Sequence, residues 1–440
     1  MRRLGHVLLW SVLSAAFIGP GTITTAASAG ALYGPRLLWA LAFSTVACLV
    51  LQEASARLTV VSGRDLGQAI RERFRGGPLA RLVPGSVLGV VVLGCAAYEA
   101  GNILGGVAGA VLGTGLPQGW LTLGVGATAF VLLWLGTTRT VSEILGVVVA
   151  TMGVAFLLTA AKLGLEPSGL IRGALIPSLP EGSALLLLGL VGTTVVPYNL
   201  FLGSGIARGQ TLDEVRFGLG VAIVLGGVIS MGVLIVGTAV DPPLAFDALG
   251  QALRARLGGW AETFFAYGLL AAGLSSAITA PLAAAVAARG LLSRPSGEGD
   301  DAAAPAWHDR SGRFRGVWLL VLLTGIAFGL AEVRPIPAII LAQALNGLLL
   351  PFVAVFLLLV INDVRLMGRD GVNGPVSNTA LGLVVVVTVL LGALNVSRAA
   401  ASAVDGAEPG EGLLALASIL IVAVLAYPVG RAVLSRRRAR

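Results

Sequence analysis

The stretch Ala16-Phe17-Ile18-Gly19-Pro20-Gly21-Thr22-Ile23-Thr24-Thr25-Ala26-Ala27-Ser28 lies inside an apolar run from Leu8 to Leu32. Gly19-Pro20-Gly21 interrupts that run near its middle. Proline removes a backbone donor, and glycine weakens a helix on either side of it. In lipid, backbone groups freed this way must find partners in protein or along a water-lined cavity. A membrane helix broken here is a candidate ion or solute site, whereas a plain proline kink would carry none. Thr22, Thr24, Thr25 and Ser28 follow the break at once. Their hydroxyls, and the N–H groups of a new helix start, would face the same small volume.

Composition sets the class around this stretch. Of 440 residues, 56% are hydrophobic and only 12% charged, with a mean hydropathy of +0.91. Soluble domains carry about 25% charged residues. Apolar runs of about 20 residues recur along the chain, the mark of a polytopic membrane protein. The 61 glycines suit close helix packing in lipid. Cys48 and Cys95, the only cysteines, lie in apolar runs and form neither a disulfide framework nor a metal motif. The net charge of +8 would suit nucleic acid in a soluble protein. Here the basic residues cluster between apolar runs, so they report orientation. No cleavable signal peptide is evident, because the first run lacks a processing site and holds the broken motif.

About twelve spans are predicted, near residues 8–32, 37–58, 84–112, 119–137, 141–160, 183–205, 215–239, 261–289, 315–332, 336–362, 379–396 and 411–429. The basic loop from Arg64 to Arg81, the segment from Arg289 to Arg315, and the tail Arg436-Arg437-Arg438-Ala439-Arg440 then fall on one side. That side is expected to be cytoplasmic, with both termini on it and the chain in a bacterial inner membrane. Residues 296–312 read as a flexible cytoplasmic loop. Units are expected at 1–160, 161–182 (an external connection), 183–368, and 369–440 (two accessory helices and a basic tail).

Polar residues within the runs supply the chemistry. Glu53 and Arg57, four apart, read as an ion pair at a helix end. Glu143, four after Arg139, reads the same way. Glu99 is deep in the third run, where an unpaired carboxylate is costly. It is either a proton-relay group or a buried acid held by hydroxyls and an arginine. Ser275 and Ser276 in the eighth run serve packing or coordinate Na⁺. Gln343 and Asn346 share one face of the tenth run and are cavity-lining candidates. The sixth run carries Gly192-Thr193-Thr194-Val195-Val196-Pro197-Tyr198-Asn199, a second break. Broken first and sixth helices are the expected sign of two inverted five-helix repeats whose breaks meet near the membrane midplane.

These motifs resemble the NRAMP family of proton-coupled metal transporters. The resemblance covers nearly all of residues 10–368. Gly19, Pro20, Gly21 and Thr22 match the family's Asp-Pro-Gly-Asn motif. Thr193, Val196, Pro197, Tyr198 and Asn199 match its Ala-x-x-Met-Pro-His-Asn motif. Ser62 to Leu66, Gly268 to Ser276 and Ala342 to Leu345 add further matches. The resemblance implies a LeuT-like all-helical fold and a secondary transporter. It also implies a substrate site at Ala16, through its carbonyl, with Gly19, Gly21, Thr22, Thr24, Thr25, Thr193, Val196, Tyr198, Asn199, Gln343 and Asn346. Glu99, Asn102 and Tyr198 are the matching proton-coupling positions.

The family's metal-binding carboxylate and thioether are replaced here by Gly19 and Val196. A site of hydroxyls, amides and carbonyls at two half-helix starts reads as anion-friendly. The expected cargo is therefore a small anion such as bicarbonate, moved with H⁺, or with Na⁺ as the alternative. A divalent metal, Mn²⁺, Fe²⁺ or Mg²⁺, is the main alternative, and a transport-inactive scaffold or sensor is another. No enzymatic constellation, cofactor, resident metal or nucleic-acid partner is expected, and the chain is expected to act as a monomer in the bilayer.

Overall fold

A computed structural model of the chain describes residues 18–136, 138–293, 307–403 and 411–438, with some side chains in these segments undescribed. The described residues form helices and connecting turns. They are α1 (Pro20–Tyr33), α2 (Leu38–Ser62), α3 (Leu66–Arg73), α4 (Leu82–Thr114), α5 (Gln118–Leu135) and α6 (Thr138–Lys162). Then come α7 (Pro167–Leu175), α8 (Ala184–Thr194), α9 (Pro197–Ile206), α10 (Leu212–Gly237), α11 (Phe246–Leu257) and α12 (Gly259–Leu292). The last are α13 (Gly312–Leu330), α14 (Pro335–Ile361), α15 (Val364–Gly371), α16 (Pro375–Ala403) and α17 (Glu411–Arg438).

Among the described residues, eleven stretches are long and apolar enough to cross a membrane. The first of them, Pro20–Ser62, has 43 residues. Straight, it would reach about 65 Å, twice the apolar thickness of a bilayer. A 3₁₀ turn at Gly34–Leu37 divides it into α1 and α2, and Gly34 takes a positive φ of 60°. Residues 20–32 of the predicted first span lie in α1, and the predicted second span corresponds to α2. The residues before Ile18, including Ala16, lie outside the described residues, as do the side chains of Arg139 and Glu143.

The sixth span, Ala184–Ile206, is broken as its sequence predicts. It splits into α8 and α9 at Val195 (φ −107°, ψ 80°) and Val196 (φ −81°, ψ 120°). α9 starts with Pro197 at its first helical position, and α1 starts likewise with Pro20 after Gly19. Proline suits that place, because its missing N–H has no intrahelical partner there anyway.

Close packing follows from the small residues. A Cβ added to Gly273 of α12 would lie 2.6 Å from Gly106 N and 2.7 Å from Asn102 O of α4. One added to Gly237 of α10 would lie 2.7 Å from Ala27 Cα of α1. Backbones touch at both crossings, so van der Waals contact holds helices that gain little from hydrophobic burial in lipid.

The basic end of the bundle is tied by ions and amides. Asp363, between α14 and α15, accepts from Arg73 of α3 at 2.7 Å and lies 3.8 Å from Arg436 of α17. It also caps α15 by accepting from the Arg365 N–H at 3.0 Å. Asn362 donates to Asn378 of α16 at 2.8 Å and accepts from it at 3.0 Å. Arg57 and Glu53 of α2 form the predicted pair at 3.2 Å, and Arg216 of α10 joins Glu53 at 2.8 Å. α3 begins with a capping box in which Asp65 accepts from the Gln68 N–H at 2.9 Å. Burial pushes the Asp65 carboxyl up from its ordinary value, while the Gln68 N–H and Arg208 oppose that shift.

Candidate functional site

The start of α1 meets the break in the sixth span. Thr22, in the first turn of α1, and Thr193, in the last turn of α8, share a hydrogen bond of 2.9 Å between their hydroxyls. Both side chains are fully buried. One threonine opens α1 and the other closes α8, so this contact joins the start of α1 to the break in the sixth span.

Neighbouring helices close around this pair. Gln343 of α14 lays its amide on Gly21, where an added Cβ would lie 2.6 Å from its Cδ and 3.1 Å from its Oε1. Glycine at 21 is therefore a space requirement of Gln343. Ser276 of α12 directs its hydroxyl at Gly19, 3.2 Å from where a Cβ would stand. Thr25 packs its methyl on Gly189 of α8, and Gly105 of α4 receives the ring of Pro20. On the far side of Thr193, Tyr98 of α4 and Tyr198 of α9 stack edge to face, with centroids 5.3 Å apart and planes at 88°. The Tyr98 hydroxyl has no hydrogen-bond partner among the described residues.

Many polar atoms here have no hydrogen-bond partner among the described residues. They include the hydroxyls of Thr24, Thr25, Ser28 and Ser276, and both amide atoms of Asn199 and of Gln343. All these side chains are buried. An unsatisfied buried polar atom costs about 1–3 kcal/mol, so buried polar groups usually have partners. Their concentration beside two helix breaks marks the place where a polar guest or water would supply them.

The remaining predicted residues are placed differently. Val196 is the N-cap residue of α9, and its carbonyl accepts from the Asn199 N–H at 3.1 Å. Asn346 turns toward α4, donating to Gly94 O at 3.3 Å and to Ala342 O at 3.0 Å. Its Oδ1 has no partner among the described residues. Glu99 is fully buried. Its Oε2 accepts from Asn102 at 3.2 Å, and Oε1 has no partner among the described residues. A Cβ on Gly325 of α13 would lie 2.8 Å from Glu99 Cγ, so the acid packs between α4 and α13. No arginine bonds to it among the described residues, in contrast to one reading of the sequence. Ser276 enters the site although its sequence reads equally well as packing. Its role depends on the gap left by Gly19, which is visible only once α1 and α12 are placed together.

No group of three or more His, Cys, Asp or Glu residues that could hold a metal ion occurs among the described residues. The donors present at the centre are hydroxyls, amides and carbonyls.

A broken helix meeting the proline-led start of α1 at a buried polar centre, in a bundle with eleven apolar spans among the described residues, fits the architecture of inverted-repeat transporters. Comparison with known proteins gives the family. The model for natural resistance-associated macrophage protein-like (Nramp) sequences matches residues 11–397. The chain belongs to the Nramp family. It is 28% identical over 403 residues to the divalent metal cation transporter MntH of Acidiphilium cryptum, covering 86% of each chain. It is 30% identical over 401 residues to MntH of Deinococcus radiodurans, again covering 86% of each. The fold matches the Eremococcus coleocola manganese transporter with a TM-score of 0.72 at 21% identity, over 99% of this chain and 95% of that one. It also matches a nucleobase-cation-symport-1 family transporter, with a TM-score of 0.53 at 15% identity, over 97% and 92%.

These relatives overturn the bicarbonate expectation, since they are divalent metal cation transporters by name. The geometry also weakens the anion reading. Pro20 and Pro197 occupy the first positions of α1 and α9, so each helix start has one backbone donor fewer to offer an anion. The hydroxyls of Thr22 and Thr193 are bonded to each other. α8, in turn, ends at the break and directs its last carbonyls toward it, which is the cation-favouring end of a helix.

Proposed function

We propose that this protein is a secondary transporter of divalent metal cations, carrying its ion at a neutral site and with part of its water shell. The observation that supports this reading is the cluster of unsatisfied buried oxygen and amide groups at the joined breaks: Thr24, Thr25, Asn199, Ser276 and Gln343. Uncharged oxygen donors suit a hard cation, and Mg²⁺ in particular sheds water reluctantly and is held through its waters. Without the thioether that favours softer ions, such a site distinguishes Mn²⁺ from Mg²⁺ poorly. Tyr198 and the Thr22–Thr193 pair line the same centre, and Ala16 would add a carbonyl.

The test is flux of Mn²⁺ and of Mg²⁺ into proteoliposomes containing the purified protein. Saturable uptake of both is expected, with each ion competing against the other. Absence of saturable uptake for either metal would overturn the proposal.

Proton coupling belongs to the same reading, with Glu99 as the responding group and Asn102 and Tyr198 beside it. Its support is a fully buried carboxylate with one oxygen bonded to Asn102 and the other without a partner among the described residues. Glu99→Gln keeps the shape and removes the titration. Metal uptake by this variant is expected to lose its dependence on pH. A variant that retains the parent's full pH profile would make Glu99 structural. The clustering of arginines between the spans supports a reading with both termini in the cytoplasm and the protein in a bacterial inner membrane.

A further inference from the structure

α14, α16 and α17 do not close on one another completely. Between them runs a groove of about 350 Å³ lined by apolar residues such as Val355, Val389, Val422 and Leu425. Asn378 and Arg437 stand among its lining. Both belong to the basic end of the bundle, Asn378 near the start of α16 and Arg437 near the end of α17. Val386, Leu425 and Leu434 of the lining are between 41% and 54% exposed, so the groove opens outward along two membrane-spanning stretches.

Chemistry narrows what can fill it. Beside a membrane span, the apolar material available to an outward groove is lipid acyl chain. Gly382 and Gly430 both line the groove, and a Cβ added at either meets nothing within 4 Å, so the space extends to both backbones. At the basic end, Asn378 Oδ1 already accepts from Asn362 at 2.8 Å and from Asn373 at 3.0 Å. Arg437 donates to the Asn373 carbonyl, and it has no carboxylate partner among the described residues. Arg436 beside it is directed at Asp363, which Arg73 already neutralises. The groove therefore ends in positive charge that the protein leaves uncompensated, at the end of the membrane-spanning stretch Ser418–Arg437.

We propose that this groove seats an acyl chain of one anionic phospholipid whose phosphate is held by Arg437. An uncharged or zwitterionic lipid would fill the apolar part equally well and gain less at the basic end.

The experiment is native mass spectrometry of the full-length protein in detergent, titrated with equal amounts of phosphatidylglycerol and phosphatidylcholine. The parent is expected to retain one phosphatidylglycerol in preference to phosphatidylcholine. Arg437→Gln should reduce that preference by roughly fivefold, the effect of one basic residue near an anionic headgroup. Gly382→Leu should abolish retention of both lipids by filling the groove without altering any charge. Gly430→Leu serves the same purpose from the opposite helix if the first variant melts below the parent. Equal retention of the two lipids by the parent would overturn the proposal. So would unchanged phosphatidylglycerol retention in folded Gly382→Leu and Gly430→Leu proteins. Loss of all bound lipid from the parent, as expected if a second copy of the chain closed the groove, would also overturn it.

Discussion

Asp363→Ala should lower the stability of the purified protein by about 3–5 kcal/mol, the usual cost of removing one partner of a buried ion pair. The Asp363 side chain is only 1% exposed and the Arg73 side chain 5%. Removal would leave the Arg73 guanidinium buried, with Ala432 O at 3.2 Å as its remaining acceptor among the described residues. It would also leave Arg436 beside Arg73 with no acid between them and take the cap from α15. Thermal melting in detergent is the measurement. Arg73→Met in the Asp363→Ala background should recover part of the loss, because the uncompensated charge is then gone as well. A parent-like melting curve for Asp363→Ala would show that the network carries no net stability.

The second large effect concerns the missing ligands. The double variant Gly19→Asp, Val196→Met would place a carboxylate and a thioether at the two N-cap positions that face the breaks. Gly19 has φ −86° and ψ 174°, a backbone that aspartate adopts readily, and aspartate is a preferred N-cap residue. Its Cβ would approach Ser276 Oγ to 3.2 Å, a contact that a small shift of the serine relieves. Charge count and ligand softness both favour tighter binding of a transition metal at such a site. Mn²⁺ uptake by the variant should saturate at a concentration on the order of tenfold lower than for the parent, with much less competition from Mg²⁺. Unchanged saturation and unchanged competition would mean that residues 19 and 196 do not contact the ion. That result would move the site away from the two breaks.

Much of this was legible in the sequence because of the membrane itself. A bilayer forces long apolar runs, so most spans, the helix start at Pro20 and the interruption before Pro197 could be read directly. The Glu53–Arg57 pair was legible for a similar reason, since residues four apart on a helix are neighbours whatever surrounds them. The family followed from motifs spread over the whole chain, and the model match over residues 11–397 agrees with it.

The cargo was not legible in the same way. Side chains at the breaks were read as free donors, which favoured an anion. Only the tertiary structure showed Thr22 and Thr193 bonded to each other, and prolines at both helix starts acting beside the carbonyl end of α8. Nor could the sequence tell that Ser276 faces Gly19, that Gln343 lies on Gly21, or that Asn346 turns away to Gly94. Local sequence determined where the chain must span and where it must break, because apolar length and proline act on their own segment. Which polar groups meet, and which are left for a guest, depended on helices hundreds of residues apart, because a hydrogen bond is decided by ångström distances that only packing sets.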